Sequence, residues 1–435
     1  MSSKNFISLT LLLVLSIGVI FSFSPTIAVK AEEHEEGFKV NVLDLRQGGI
    51  AVLNKIMKKE GKQMEPPLDV HTKSVNFSKL ETEAKTILSS GSNSPYELFQ
   101  AYNGFMPSYT QNDWLTPLGD YVEKYKEEYD LDDISQAMWD AVTFDGKIYG
   151  FPFQQFTTHL FYRKDIFEKY GLKPPETVDQ LFEVLKTLKK KSNFQYQLAM
   201  GLKKGYLTSH FHGALMAYGG RWFTEDNQPA FNSEAGVKAV KLLERLQKYM
   251  PPSNYSGKDV VTAMSQGIVP MAYTWTSYYA DMADPSVSQY PDKIVPAPAI
   301  SVTEEGPPLA NWTQDMFVIP KNLSNKIDKE RVFKLVAKST TKENQMKYAD
   351  ETIVSRRSIL GDPEIQDKYP YYKATLKTVE QGAIPYPKVP YFTAERGVVA
   401  NYVSQALAGQ LSIEKALEKA EKEVRRDLKQ KGYLS

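Results

Sequence analysis

From Phe38 to Leu45 (FKVNVLDL) the chain alternates in the manner of a strand and runs into Arg46, Gln47, Gly48 and Gly49, which read as a turn. Val52, Leu53, Ile56 and Met57 then share one face at helical spacing, so Ile50 to Lys59 is expected to be a helix. After Pro66 and Pro67, Leu68 to Lys73 reads as a second strand. Phe77 to Leu88 reads as an amphipathic helix ending near Ser89, Ser90 and Gly91, and Tyr96 to Phe99 as a third strand. Strand, helix, strand, helix, strand is the alternation of a mostly parallel α/β sheet.

The middle of the chain adds a turn at Asp145, Gly146 and Lys147, a strand at Ile148 to Phe153 and another at His159 to Arg163. Asp165 opens a short helix that stops at Gly171, and Thr177 starts a longer one through Leu188. The glycine pair near Arg46 lacks the spacing of a phosphate-binding loop and is assigned to a turn.

The N-terminus changes the picture. A lone Lys4 precedes an almost unbroken apolar run from Ile7 to Phe23, followed by Pro25 and the small-residue exit Ala28, Val29, Lys30, Ala31. That is the order of a secretory leader, and residues 1–31 are expected to be removed after Ala31. The run is shorter than the roughly 20 apolar residues of a spanning helix. The chain has no cysteine, which excludes disulfides, thiolate metal sites, a cysteine nucleophile and a lipid anchor on cysteine. An exported protein, periplasmic or secreted and without a lipid anchor, is expected. Lys plus Arg number 53 against 52 Asp plus Glu, and the leader removes only Lys4 and Lys30. This near-neutral balance argues against a nucleic-acid partner held by a bulk field. Its length of 435 residues suggests two or three domains at roughly 150 residues each.

Two segments carry a family pattern. DGKIYGFPF, then YRKDIFEKYGLKPPETVDQL, follow the D-G-K-x-Y-G-x-P and Y-x-K-D-x-F-x-K-x-G-L-x-P-P-x-T order. Ala217 to Leu246, Val261 to Trp275 and Ala406 to Val424 continue the likeness in the same order along the chain. The sequence thereby resembles the family 1 extracellular solute-binding proteins of ATP-driven importers, the group that includes maltose-binding protein. It departs at Ser94, Pro95, Tyr96 and Glu97, where the family often has small-Pro-Asp-Val.

The resemblance implies an α/β, two-lobed periplasmic-binding-protein fold of type II, with discontinuous lobes joined by three hinge crossings. These are expected near Gln154 to Thr158, Val295 to Ile300 and Val354 to Arg357. The N-terminal lobe would then be 38–155 with 298–355, and the C-terminal lobe 156–297 with 356–435. It also implies capture of a mono- or oligosaccharide between the lobes and delivery to membrane permease subunits. The chain would act as a monomer, with no cofactor and no metal.

Open α/β sheets bind ligands beyond the carboxyl ends of their strands. That rule selects the loops Arg46 to Gly49, Lys73 to Phe77 and Gln100 to Phe105, and in the second lobe those carrying Lys203, Tyr206, Trp275 and Tyr278. A sugar needs an aromatic face for its C–H side and planar polar groups for its hydroxyl edge. The stacking candidates are Trp275, Tyr206 and Trp312, whereas Trp222 is expected to pack beneath a polar hairpin and Trp114 and Trp139 to be structural. The polar candidates are Gln47, Asn103, Gln154, Gln155, Asp315, Arg357 and Arg396. Gln154 and Gln155 could equally be hinge hydrogen-bonding groups, and Arg357 and Arg396 could equally close interlobe salt bridges.

Two rival classes stand beside a sugar-binding protein. A glycoside hydrolase needs two carboxylates flanking the bond, and the pairs Glu304, Glu305 and Asp132, Asp133 lie in turn-like polar stretches. No G-x-S-x-G or H-E-x-x-H motif is present, although His210 and His212 are closely spaced. A binding protein for another solute is the second rival. The alternatives are a polyamine, a metal chelate or a phosphorylated polyol; a polyamine site would want several carboxylates where these loops carry amides, aromatics and arginines, whereas a phosphorylated polyol stays open because of the arginines.

Overall fold

The computed structural model describes residues 38–46, 48–252, 254–323 and 328–434. The leader expected at residues 1–31 and the candidate Gln47 lie outside the described residues.

The strands are β1 (Phe38–Leu45), β2 (Leu68–Val75), β3 (Leu98–Tyr102), the hairpin β4 (Thr143–Phe144) and β5 (Lys147–Ile148), β6 (Phe151–Arg163), β7 (Ala199–Met200), β8 (Met271–Trp275), β9 (Ile294–Ala297), β10 (Asn311–Val318), β11 (Ile353–Val354) and β12 (Ile384–Pro385). β1 pairs in parallel with β2 from Phe38 opposite Leu68 to Leu45 opposite Val75, and with β3 on its other side. The helix Gly48–Lys62 makes the first crossover, and the helix Phe77–Ser89 the next. Asn76 starts the latter by accepting from the Lys79 amide at 2.9 Å. The α/β opening of the sequence is therefore present, with the third strand two residues later than expected.

β6 departs from expectation. Two strands, Ile148–Phe153 and His159–Arg163, form instead one 13-residue strand in which Phe151 to Phe161 are all buried. Its first part, Phe151 to Thr157, pairs with β10, and its second part, Thr158 to Arg163, pairs with β8 and β9. Two of the polar residues that interrupt the apolar pattern, Thr157 and Thr158, hydrogen-bond to neighbours. The Thr157 amide donates to Thr276 Oγ1 at 3.1 Å, and Thr158 Oγ1 accepts from the Asn311 amide at 3.1 Å. A strand buried on both faces need not alternate, so its continuity was hidden.

Two large apolar cores flank this shared strand. One gathers residues from Val40 to Phe153 and from Trp312 to Tyr372, with the Phe153 and Phe317 rings stacked at 4.6 Å. The other gathers residues from Leu160 to Ala310 and from Tyr386 to Leu434. A smaller cluster around Phe161, Val260 and Met264 lies beside β8. Ala299, Ile300 and Leu309, expected with the first lobe, belong to the second core, while Ile359, Leu360 and Tyr372, expected with the second, belong to the first. Trp222 is buried in the second core, where its Nε1 donates to His212 Nδ1 at 2.9 Å. Trp139 and Trp114 pack with the first core. Among the described residues no helix is long and apolar enough to cross a membrane.

Gly213 seats the helix Lys204–Ala217 against the residues that lead into β10. A Cβ at Gly213 would lie 2.6 Å from the Leu309 carbonyl oxygen and 3.0 Å from the Ala310 amide nitrogen. Helix propensity alone makes Gly→Ala stabilising by roughly 0.5–1 kcal/mol. Backbone atoms at this distance cannot yield as a side chain would, so Gly213→Ala is expected to lower the melting temperature. A rise in the melting temperature would show that the close approach does not constrain the helix.

Candidate ligand-binding cleft

A chamber of about 380 Å³ lies between the two lobes. The first lobe contributes Leu45 and Tyr102, the last residues of β1 and β3, with Phe77 at the start of a helix. The second contributes Trp275, the last residue of β8, with Ser277 and Tyr278 after it, and Gly205, Tyr206 and Ser209 from the first turns of the helix Lys204–Ala217. Phe156 of β6 and Thr313 and Asp315 of β10 lie between these groups. Strand ends from both lobes thus converge on one space, as open α/β sheets require of a binding crevice.

Asp315 is the centre of a buried hydrogen-bond chain. Its Oδ2 accepts from Gln154 Nε2 at 2.6 Å and from Gln100 Nε2 at 2.8 Å. Gln100 Oε1 accepts from the Leu45 amide at 2.9 Å, and Gln154 Oε1 from Thr352 Oγ1 at 3.0 Å. Burial raises the Asp315 carboxyl from the ordinary 3.8 to about 6, with the two amides offsetting part of the rise.

Aromatic groups occupy the flanks. The Phe77 and Tyr102 ring centroids are 5.1 Å apart, and Phe77 is 42% exposed despite its size. The Tyr206 and Tyr278 hydroxyls meet at 2.9 Å, and Ser209 Oγ lies 2.8 Å from the Tyr386 hydroxyl. Arg396 Nη2 donates to the Tyr102 hydroxyl at 2.9 Å while its guanidinium sits 5.1 Å from the Tyr386 ring centroid. Burial pushes Tyr102 up to about 12, and Arg396 opposes the shift. The Arg396 contact and the bond from Thr393 Oγ1 to the Gly104 carbonyl at 3.0 Å both span the cleft.

The residues singled out in the sequence separate into two places. Trp275, Tyr206, Asp315 and Arg396 line the chamber, and Gln154 holds Asp315. Asn103 is buried just behind, accepting from Thr313 Oγ1 at 2.6 Å. Trp312, Gln155 and Arg357 instead line a separate groove of about 250 Å³. Trp312 Nε1 donates to Gln155 Oε1 at 2.9 Å, and Arg357 is exposed and donates to the Asp132 carbonyl. The cause is the pleat: neighbours on a strand point to opposite faces, so Gln154 and Gln155 part company, as do Trp312 and Thr313. The structure adds Phe77, Tyr102, Phe156, Ser209, Thr313 and Tyr386. Phe77 and Tyr102 stood in loops already selected by the strand-end rule. Ser209 and Tyr386 carried no local signal.

The sequence profile of bacterial extracellular solute-binding proteins matches residues 48–346. The chain belongs to that family. A mannitol-binding protein of Pseudomonas aeruginosa is 28% identical over 349 residues, covering 74% of this chain and 77% of that one. An ABC transporter solute-binding protein of Agrobacterium radiobacter K84, solved with ribitol, has a TM-score of 0.78 at 24% identity over 90% of this chain and 98% of its own. One from Agrobacterium vitis S4, solved with D-mannitol, has a TM-score of 0.76 at 23% identity over 91% and 99%. These structures show that the solute-binding protein has the two-lobed fold.

The raised carboxyl has a measurable consequence. The neutral form of Asp315 is favoured in the folded protein, so its contribution to stability is fully present below the ordinary carboxylate pKa. That contribution is lost as pH rises through about 6. Asp315→Asn removes the loss. The melting temperature of the variant minus that of the native protein is expected to be more positive at pH 7.5 than at pH 4.5, and an equal difference at both would contradict the burial argument.

Proposed function

We propose that this protein is the exported binding component of an ABC importer, holding a sugar or polyol in the interlobe chamber and delivering it to the membrane permease. The leader at residues 1–31 would be removed on export. The observation that carries the ligand class is the wired carboxylate of Asp315 in one chamber with the Trp275 and Tyr206 rings. A polyhydroxylated ligand offers O–H donors to a fixed acceptor and C–H faces to aromatic rings, and few other solutes use both. The mannitol- and ribitol-binding relatives support the same class.

The volume is at the lower end of the roughly 300–1,000 Å³ of ligand pockets, which favours a ligand of monosaccharide size in this chamber. Asp315 is the one carboxylate among the described lining residues. Hydrolysis of a glycosidic bond uses two, so the arrangement supports binding without chemical change. Trp275, Tyr206, Asp315 and Arg396 are the proposed contacts, with Gln154 and Asn103 as their supports.

We assign the first lobe to residues 38–157 with 311–380 and the second to 158–310 with 384–434, following the two cores. Ligand that touches both lobes binds the closed form better and shifts the population toward it. The permease would read that closure. β6, the step from Ala310 to Asn311 and residues 381–383 would absorb the rotation.

A thermal-shift screen against sugars and polyols tests the ligand class, since a ligand at a hundred times its Kd adds about 2.7 kcal/mol. No stabilisation by any member would refute it. With the ligand in hand, Trp275→Ala is expected to weaken binding about tenfold, roughly 1.4 kcal/mol, and a change within twofold would remove Trp275 from the site. Affinity should also fall as pH drops from 7 to 5, because ligand hydroxyls donate best to the ionised Asp315. Small-angle scattering should show a smaller radius of gyration at saturation. Appearance of a hydrolysed product would sink the binding-only reading.

A further inference from the structure

A second chamber of about 580 Å³ adjoins the first, and the two share Gly205 and Arg396 in their walls. Its first-lobe wall includes Glu81 and Lys85 from the helix Phe77–Ser89. Its second-lobe wall includes Lys204, which opens the helix Lys204–Ala217, and Thr393 and Arg396 near the start of the helix Phe392–Leu407. Three cationic side chains therefore face one carboxylate.

Neither Lys85 nor Lys204 forms an ion pair among the described residues. Arg396 donates to the Tyr102 hydroxyl rather than to a carboxylate. The charges of Lys85 and Arg396 act on Glu81, the one carboxylate that faces them across this chamber. Lys203 and Tyr391, at the caps of the two second-lobe helices, make no side-chain cap bond. The positive ends of both helix dipoles add to the same field.

The two chambers thus differ in electrostatic character: in the inner one Asp315 balances Arg396, whereas the outer one sets three cations against Glu81. The inner one offers a carboxylate and aromatic faces, and the outer one an excess of positive charge. Arg396 stands at the junction. A neutral ligand would use only the inner part and leave the lysines solvated. A ligand with hydroxyls at one end and an anion at the other matches both, because ammonium and guanidinium groups form short charge-assisted bonds to phosphate or carboxylate oxygens.

We propose that the preferred ligand is a sugar or polyol bearing an anionic group, a phosphoester or a carboxylate, with its hydroxylated end beside Asp315 and its anion between Lys85 and Lys204. The assignment rests on the sugar or polyol reading above and narrows it.

Isothermal titration of the full chain with matched pairs tests it: mannitol and mannitol 1-phosphate, ribitol and ribitol 5-phosphate, glucose and glucuronate. The first two pairs report a phosphoester and the third a carboxylate. The charged member of at least one pair is expected to bind tenfold or more tightly than its neutral partner at low salt, with the advantage shrinking at high salt. In a Lys85→Gln, Lys204→Gln double variant, checked for folding by its thermal transition, that advantage should fall below threefold. If every charged member binds no better than its partner, or the double variant keeps the full advantage, the anionic assignment is overturned. Binding of neutral sugars or polyols in that event leaves the broader function standing, whereas failure of the whole panel removes both.

Discussion

The antiparallel pairing of Phe151–Arg163 with Asn311–Val318 is the constraint on which the rest of the structure depends. It joins the first sheet to a strand that continues into the second, and it sets Gln154 opposite Asp315 in register. Breaking that register would do two things at once. It would uncouple the lobes, and it would take from a buried carboxylate the Gln154 amide that donates to one of its oxygens. An unpartnered charge in such a place is costly. The polar residues of this strand pair therefore serve the fold and the cleft together, and the irregularity between Asp315 and Met316 marks where the pairing bends around the site.

From this base the cleft acquires its chemistry by convergence. Tyr102 is brought by a parallel strand of the first lobe, Trp275 by a strand of the second, and Tyr206 by the helix that follows a short strand. None of these elements makes a binding surface alone. The contacts across the cleft include the part-buried hydrogen bonds of Arg396 to Tyr102 and of Thr393 to Gly104. Such hydrogen bonds contribute about 1 kcal/mol each, the scale on which the proposed ligand-driven closure would act.

The same groove shows how a single side chain divides a space. Arg396 belongs to the walls of both chambers, and its guanidinium lies against Tyr386 and Phe392 rings as well as the Tyr102 hydroxyl. A planar cation held by aromatic faces keeps its charge without a carboxylate partner. Positive potential is thereby available for a ligand instead of being spent in an internal ion pair.

Several features were legible in the sequence because they depend on local periodicity or on motif order: the strand and helix alternation of the first hundred mature residues, the stop at Gly171, the helix opened by Thr177, and the family itself. That Trp275 and Tyr206 stand near strand ends was also legible, since a ligand crevice follows from where strands end, although the structure puts Trp275 at the end of its strand and Tyr206 in the helix Lys204–Ala217. Tertiary structure alone decided the continuity of Phe151–Arg163, because a strand buried on both faces loses its alternation. It alone decided the faces as well. Trp312 and Gln155 share a rear groove while their neighbours Thr313 and Gln154 turn toward the cleft, and which side of a pleat becomes the cleft is fixed by the lobe that packs there. Ser209 and Tyr386, 177 residues apart, meet at 2.8 Å, a pairing set by packing between distant helices and segments and so absent from any local pattern.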